Sequence, residues 1–531
     1  MGLGPFGHQE TFLPEPSERE RAVATGTILS LHAASAPDRP ALLGPLGERT
    51  FAELDAGANR WVRAFEARGL GRGDAVALVC ANRPEFVEVL AACQRGGFRL
   101  TPINWHLTGE EIGYIVKNCE AKALVGDARF AETIVDGAAR AGGKAHGFAV
   151  GGEIAGFEIA ADAVGGESGD ALAAPTLGGT MLYTSGTTGR PKGVHRKGVP
   201  PALLLAPLQR TADFAPETDF ALCTGPLYHA APLALNLQLP LGAGVGVYLM
   251  DQWDATETLR LISEHRVTHT HMVATMFHRL LSLAEETRGA YDVSSLRWVL
   301  HGAAPCPVHV KRAVIEWFGP VVHEYYAATE GGAFFITAKE WLDKPGSVGH
   351  IGEQDVLLLT DAGEETEPGE VGTVYFRAPT QGRFQYFKAP EKTQSAYHTT
   401  SAGDDYFTMG DLGRFDEERW LFLTGRSAEL ILSGGVNVYP AEIDAALLMH
   451  AAVGDVAAVG VPNEEWGEEV KAVIQLAEGQ LPSDELTAEL LAHCREHLAG
   501  YKCPRSIDYT DDLPRLPTGK IQRGRVRERY L

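Results

Sequence analysis

Helical and buried-strand signals alternate through the first half of the chain, and this alternation limits the fold more than any other feature. Leu54, Ala58, Trp61 and Phe65 recur at helical spacing, Gly69 and Gly71 stop that helix, and Ala75 to Val79 is a strand-length apolar run before the turn at Asn82-Arg83-Pro84. Thr108 and Glu111 form a capping-box pair that opens the next helix, and Ala123-Leu124-Val125 reads as another strand. Such alternation implies an α/β fold in layers, with largely parallel sheets. The stretch from Gly142 to Pro175 is Gly/Ala-rich with little periodicity and reads as surface connection with short strands. Arg297 to Leu300 reads as a buried strand ending in His301-Gly302-Ala303-Ala304-Pro305, and small residues at a strand end make room for a ligand. After Gly425-Arg426 the texture changes to a glycine turn at Gly434-Gly435, a helix from Ala441 to about Met449, strands from Val456 to Val461 and from Val470 to Leu476, and a helix from Asp484 to about Leu498. The 531 residues therefore divide into a large domain of layered α/β subdomains, 1–425, and a small α+β domain, 426–531.

Thr180-Met181-Leu182-Tyr183 looks like a strand ending, and the loop after it narrows the chemistry furthest. It reads Thr184-Ser185-Gly186-Thr187-Thr188-Gly189-Arg190-Pro191-Lys192-Gly193-Val194. Glycines let successive N–H groups converge on an anion, the hydroxyls add donors, and Lys192 adds a compact point charge, so the loop is suited to wrapping phosphate. It departs from the usual P-loop, because Lys192 lies three residues after Gly189 with Pro191 just before it. A flexible Ser/Thr/Gly linker is the plain alternative, but a linker has no need of a lysine stiffened by proline.

The net charge of −22 argues against a nucleic-acid surface, which needs clustered Lys and Arg to neutralise phosphates. Seven scattered cysteines, none spaced C-x-x-C, suggest neither a disulfide framework nor a zinc site, and fit a reducing cytoplasm. Phe220 to Met250 contains no Asp, Glu, Lys or Arg, yet Pro226, Pro232 and Pro240 interrupt it, so it reads as lining of an apolar cavity and not as a transmembrane segment. Three further features are set aside. His265, His269 and His271 have no acidic or cysteine ligand nearby to complete a zinc site. Gly242-Ala243-Gly244-Val245-Gly246 lacks the third glycine of a dinucleotide fingerprint, and Cys306 between two prolines reads as a packed turn.

Six blocks then occur in one order: the loop at 183–194, Tyr325-Tyr326-Ala327-Ala328-Thr329-Glu330, Tyr406-Phe407-Thr408-Met409-Gly410-Asp411, Gly425-Arg426, Ser433-Gly434-Gly435-Val436-Asn437-Val438-Tyr439-Pro440-Ala441-Glu442-Ile443, and Pro517-Thr518-Gly519-Lys520. Nearly end to end, the chain resembles the acyl-CoA synthetase branch of the adenylate-forming enzymes. The resemblance implies a two-step reaction: a carboxylate attacks the α-phosphorus of MgATP to give acyl-adenylate and pyrophosphate, then the thiol of CoA displaces AMP. It implies that Thr184, Ser185, Gly186, Thr187, Thr188, Gly189 and Lys192 hold the phosphates, that Glu330 is the Mg2+ ligand, and that Thr329 donates to the α-phosphate. Tyr326 would offer a face to adenine, with His301, Gly302, Ala303 and Ala304 as the opposite wall. Asp411 would accept the ribose hydroxyls with Arg426 in support, and Lys520 would be the catalytic residue of adenylation. The C-terminal domain would be mobile, presenting Lys520 in one orientation and the Gly434-Gly435 turn to CoA in the other.

Two departures stand out. Relatives usually carry Asp or Lys at the hinge where this chain has Ala428, and more often glycine where it has Ala327 beside the acyl channel. At the place where amino-acid-activating relatives carry an aspartate, this chain has His229, so a substrate ammonium would be left unpaired in an apolar cavity. An amino acid is thereby disfavoured. His229 is expected to gate the acyl site, with Leu233, Leu235, Val273, Met276 and Phe277 as candidate lining. The expected substrate is a hydrophobic carboxylic acid, a medium- or long-chain fatty acid first and a bulky cyclic or aromatic acid second. Loading of a carrier protein in place of CoA is the rival within this chemistry, and a non-catalytic nucleotide-binding regulator is the rival outside it. A homodimer is compatible with all of this.

Overall fold

The strand signals of the first half assemble into two parallel sheets. The computed structural model describes residues 17–184, 191–196, 201–380, 382–433, 436–463, 466–516 and 519–531, the side chains of 201–203 excepted. Ala75–Val79 is the central strand of a six-stranded sheet, with Arg99–Pro102 and Gly179–Thr180 on one side and Ala121–Asp127, His146–Val150 and Glu158–Ile159 on the other, every pairing parallel. Its strands are buried throughout their middles because helices cover it, as parallel sheets require. The helix Phe51–Ala67 is one of these, and it sets Trp61 and Phe65 edge-on against Phe148. Within 142–175, expected to be surface connection with short strands, His146–Val150 is such a strand, and it buries Phe148 in the core.

The second sheet has eight strands, in the order Ala333–Ile336, Val322–Ala327, Trp298–His301, His269–Met272, Phe220–Cys223, Gly246–Leu249, Pro40–Leu43 and Arg49–Thr50, antiparallel only at its two edges. A five-stranded antiparallel sheet follows, in which Asp405–Phe415 pairs with Gly372–Arg377, Tyr397–Thr399 and Leu421–Arg426. The C-terminal unit has its own sheet, with Val453–Asn463 against Gly467–Leu476, and its own core of Ile431, Val438, Ile443, Leu447, Val456, Ile474 and Leu490. Helices Pro440–Leu447 and Asp484–His497 cover it, close to the bounds expected from the sequence. The capping box at Thr108 forms reciprocally with Glu111 and opens the helix Gly109–Asn118. Among the described residues no helix is long and apolar enough to cross a membrane.

The set-aside motifs resolve locally. Gly244 closes a helix in the left-handed region and Gly246 opens a strand, the reverse of the strand-to-helix order that binds a dinucleotide. His265 packs against Tyr248 and Phe220, and His269 bonds the carbonyl of Ala212 at 2.7 Å. His271 bonds the Tyr325 hydroxyl at 3.1 Å, and burial pushes the Cys306 thiol pKa up.

Candidate active site

The phosphate-loop motif hangs from an antiparallel pair in which Lys192 stands opposite Thr184 and Gly193 opposite Tyr183, so the two ends of the loop meet at one neck. Ser185, Gly186, Thr187, Thr188 and Gly189, like Gly434 and Gly435, lie outside the described residues. The Lys192 ammonium sits 5.2 Å from the centre of the Tyr386 ring, and the Tyr386 hydroxyl donates to Glu330 at 3.0 Å. Burial first, then the neighbouring Lys392 ammonium, push Lys192 below its ordinary 10.5, against the pull of Glu330. Two like charges crowded this way favour an anion between them. Arg196 donates to the backbone oxygen of Thr329 at 3.4 Å, adding a third cation beneath the Thr329-Glu330 turn. That turn is tight. Gly331 and Gly332 have φ of 136° and 65°, and a β-carbon on Gly332 would lie 2.2 Å from the Phe376 ring.

Tyr326 is the penultimate residue of the strand Val322–Ala327 and donates from its hydroxyl to Asp411 at 2.8 Å. The other Asp411 oxygen takes the Arg426 Nε at 2.9 Å, because Asp411 and Arg426 face each other across adjacent strands. A carboxylate has room for about four such bonds, so two acceptor positions are left for hydroxyls of a ligand. Lys520 is brought to this same pair from the far end of the chain. Burial and Arg426 push it below the ordinary lysine value, while Glu429 and Asp411 pull the other way. Its turn is closed by Leu516 N–H to the Lys520 oxygen and Gly519 N–H to the Leu516 oxygen, both at 2.7 Å, and Arg515 ties the Gly519 oxygen to Asp455. Ala428, at the expected hinge, occupies a single 3-10 turn, Ser427–Glu429, directly after the strand that carries Arg426.

His301 is a correction. Its side chain is fully buried on the underside of the sheet, 5.4 Å from the Phe277 ring and 3.4 Å from Glu324, where the Lys311 ammonium also pairs at 2.6 Å. It cannot line a nucleotide surface, and burial together with Lys311 keeps it neutral. Gly302 is buried as well, since a β-carbon there would strike the Tyr325 ring at 2.6 Å. Ala303, with φ of 67°, and Ala304 are the accessible members of this wall.

A small, mostly apolar cavity lies at the C-terminal ends of the parallel strands, lined by Thr224, Pro226, Ala231, His271, Val273, Met276 and their neighbours. Of the candidate lining residues, Val273 and Met276 border it, while Leu233, Leu235 and Phe277 pack in the surrounding cores. Ala327 packs on the cluster around Leu235, Trp298 and Tyr325. His229 is half-buried against Tyr228, its Nε2 has no partner among the described residues, and burial and then His106 push it down to about 4. Sequence reasoning passed over Tyr386, Arg196 and Lys392, which carry no local motif.

Neutral histidines partly or wholly shielded from solvent make stability depend on pH. His229 and His323 are pushed to about 4 and His271 to about 3, each mainly by burial, and the His323 Nδ1 accepts the Ala338 N–H at 3.0 Å, which a protonated ring could not do. The unfolded chain binds these protons near pH 6.5, so the contribution is complete above that pH and is lost as pH falls toward 4. Each ring is expected to cost up to about 1.4 kcal/mol per pH unit over that window. Thermal melts at pH 7.5 and 5.5 should therefore show a lower Tm in acid, with a smaller difference in His323→Gln.

Comparison with known proteins places the chain in a family. The AMP-binding enzyme family model matches residues 29–384, and the model for the AMP-binding enzyme C-terminal domain matches 442–520. The chain is 32% identical over 484 residues to a feruloyl-CoA synthase of Amycolatopsis sp., covering 91% of this chain and 94% of that one. It is 30% identical to the long-chain-fatty-acid–CoA ligase FadD13 of Mycobacterium tuberculosis, covering 95% and 98%. Among solved structures, the anthranilate CoA ligase AuaEII in complex with anthranoyl-AMP superposes with a TM-score of 0.85 at 26% identity, over 96% of this chain and 97% of that chain. The chain therefore belongs to the AMP-binding enzyme family, as an acyl-CoA synthetase of the adenylate-forming superfamily.

Proposed function

We propose that this enzyme activates a hydrophobic monocarboxylic acid as its acyl-adenylate and passes the acyl group to CoA, working through the residues gathered around Asp411. The observation that carries this reading is the meeting of Lys520 with Asp411 and Arg426, two domains converging on one cleft. In the first step the carboxylate approaches the α-phosphate, and the Lys520 ammonium offsets charge that builds in the transition state. Asp411 accepts ribose hydroxyls, the Tyr326 ring backs the adenine, and Ala303 with Ala304 forms the facing wall. Lys192 and the loop it anchors hold the departing pyrophosphate. Among the described residues Glu330 pairs with no cation and has Tyr386 as its hydrogen-bond partner, so its carboxylate suits Mg2+. Magnesium held there would neutralise phosphate charge.

The related proteins include ligases named for feruloyl and for long-chain fatty acyl groups, so relatedness leaves the acid itself open. The test is pyrophosphate release from MgATP over a panel of acids of graded size, with and without CoA. Release that requires a hydrophobic acid, and acyl-CoA formation when CoA is added, are expected. Release with every suitable acid but no thioester with CoA would point to a carrier-protein acceptor, and no release with any acid would remove the ligase reading altogether.

A further inference from the structure

We propose that Tyr386 is a positioning residue for adenylation: it holds the Lys192 ammonium and the Glu330 carboxylate apart, so that one stays available to phosphate and the other to the divalent cation. The inference rests on the ligase reading above and concerns the nucleotide end of that same site.

Register puts the ring there. Tyr386 stands opposite Val194 in an antiparallel pair, and residues directly opposed point to one face of a sheet. Lys192 is two residues from Val194 on the same strand, so its side chain leaves by that face too. The ring is therefore a diagonal neighbour of the lysine, with the ammonium 5.2 Å from its centre. Little freedom remains to the tyrosine. Its N–H donates to the Thr393 hydroxyl at 3.0 Å, its oxygen accepts the Ala389 N–H at 3.0 Å, and Phe387 next to it donates to the Gly193 oxygen at 2.8 Å. The buried Phe384 ring meets the Tyr386 ring edge-on, with centroids 5.3 Å apart.

Charge explains why a spacer is needed. Lys192 and Arg196 both feel the Glu330 carboxylate, and in a partly desolvated cleft such opposite charges attract strongly. A direct ion pair would have to break before ATP and its metal could bind, and so would oppose their binding. Among the described residues neither pair forms. Arg196 is drawn to the Thr329 oxygen at 3.4 Å and packs on Gly331, where a β-carbon would lie 2.6 Å from its Nη2. Lys192 faces the Tyr386 ring, and the Tyr386 hydroxyl donates to Glu330 Oε1 at 3.0 Å, which leaves Oε2 without a partner among the described residues. Burial first, then the Glu330 charge, push the Tyr386 hydroxyl above its ordinary 10, so it stays a donor at neutral pH.

The test sets Tyr386→Phe, Tyr386→Leu, Glu330→Gln and the double variant Tyr386→Leu/Glu330→Gln beside the parent, in two assays. ATP binding is titrated calorimetrically in EDTA, with no acid present, and adenylation is followed as pyrophosphate release at graded Mg2+. Tyr386→Phe keeps the ring and loses the hydroxyl. Its metal-free ATP affinity should match the parent, while half-saturating Mg2+ rises and kcat falls, each by about tenfold. Tyr386→Leu removes the spacer, so Lys192 turns to Glu330 and metal-free ATP affinity should drop by about tenfold. Glu330→Gln lessens repulsion of the phosphates in any background, but in the Tyr386→Leu background it also releases the lysine, so its gain in ATP affinity there should be about tenfold larger than in the parent. Equal gains in the two backgrounds, as a ring that only supports the fold would give, would overturn the proposal. If Tyr386→Leu does not fold, Tyr386→Phe decides alone, since parental Mg2+ dependence in that variant would overturn it equally. The binding arm needs no acid, so a failure to release pyrophosphate with any acid would remove the ligase reading alone, whereas a parent that binds no ATP would bring down both.

Discussion

Lys520→Ala is expected to slow acyl-adenylate formation by about 10²–10³-fold while thioester formation from supplied acyl-adenylate and CoA stays within a few-fold of the parent. The expectation follows from position. Lys520 is drawn into the cleft beside Arg426, Asp411 and Glu429, where burial makes each fixed charge count for more than it would in water. Arg426 already neutralises part of the Asp411 charge at 2.9 Å, so removing the Lys520 cation leaves the approaching carboxylate and the phosphate without their nearest counter-charge. Lys520→Arg should recover part of the loss, because charge returns with a different reach. The pKa shift adds a second reading: since Lys520 is held below 10.5, the adenylation rate should begin to fall at an alkaline pH below that value as the ammonium loses its proton. Stopped assays of AMP-bound acid, set against thioester assays started from the adenylate, separate the half-reactions. Normal adenylate formation by Lys520→Ala would remove its assigned role.

Much of the fold was legible because local signals agreed with tertiary demands. Ala75–Val79 is apolar on both faces, and the sheet buries both; Thr108 and Glu111 cap each other as their spacing requires; the helix Asp484–His497 begins at a serine cap. The site was legible only in its continuous motifs. Tyr386 reaches Glu330 across 56 residues of sequence, and no pattern within either segment announces that pairing. His301 misled for a different reason. Neighbouring residues of a strand point to opposite faces, and the motif gave no register, so a residue at the strand end was assigned to the ligand side when Phe277 and Glu324 held it underneath. His271, set aside as a metal ligand, is buried beside Tyr325 and bonds its hydroxyl.

Gly519→Ala should cost nearly as much as losing Lys520 itself, although it adds one methyl group to a residue that touches no substrate. Gly519 has φ of 78°, in the left-handed region that a residue with a side chain resists, and its β-carbon would lie 2.3 Å from the Thr275 hydroxyl and 3.1 Å from a Val273 methyl. Neither obstacle is a flexible tip, since both residues are β-branched and sit where the strand His269–Met272 passes into the helix Ala274–Leu281. The turn must therefore back away from the large domain, and because Arg515 clamps the Gly519 oxygen to Asp455, Lys520 retreats with it. A displacement of about 1 Å in a catalytic group costs on the order of 10²-fold in rate. Adenylation by Gly519→Ala is expected to fall by about that factor with the thioester half-reaction spared, as the clash exists only where this turn meets Thr275. Thr275→Ala in the same chain removes the 2.3 Å contact but not the backbone strain, so the double variant should regain part of the lost rate, not all of it. Equal loss in both half-reactions, or no recovery in the double variant, would mean that the glycine serves the folding of its own domain and not the docking of its lysine.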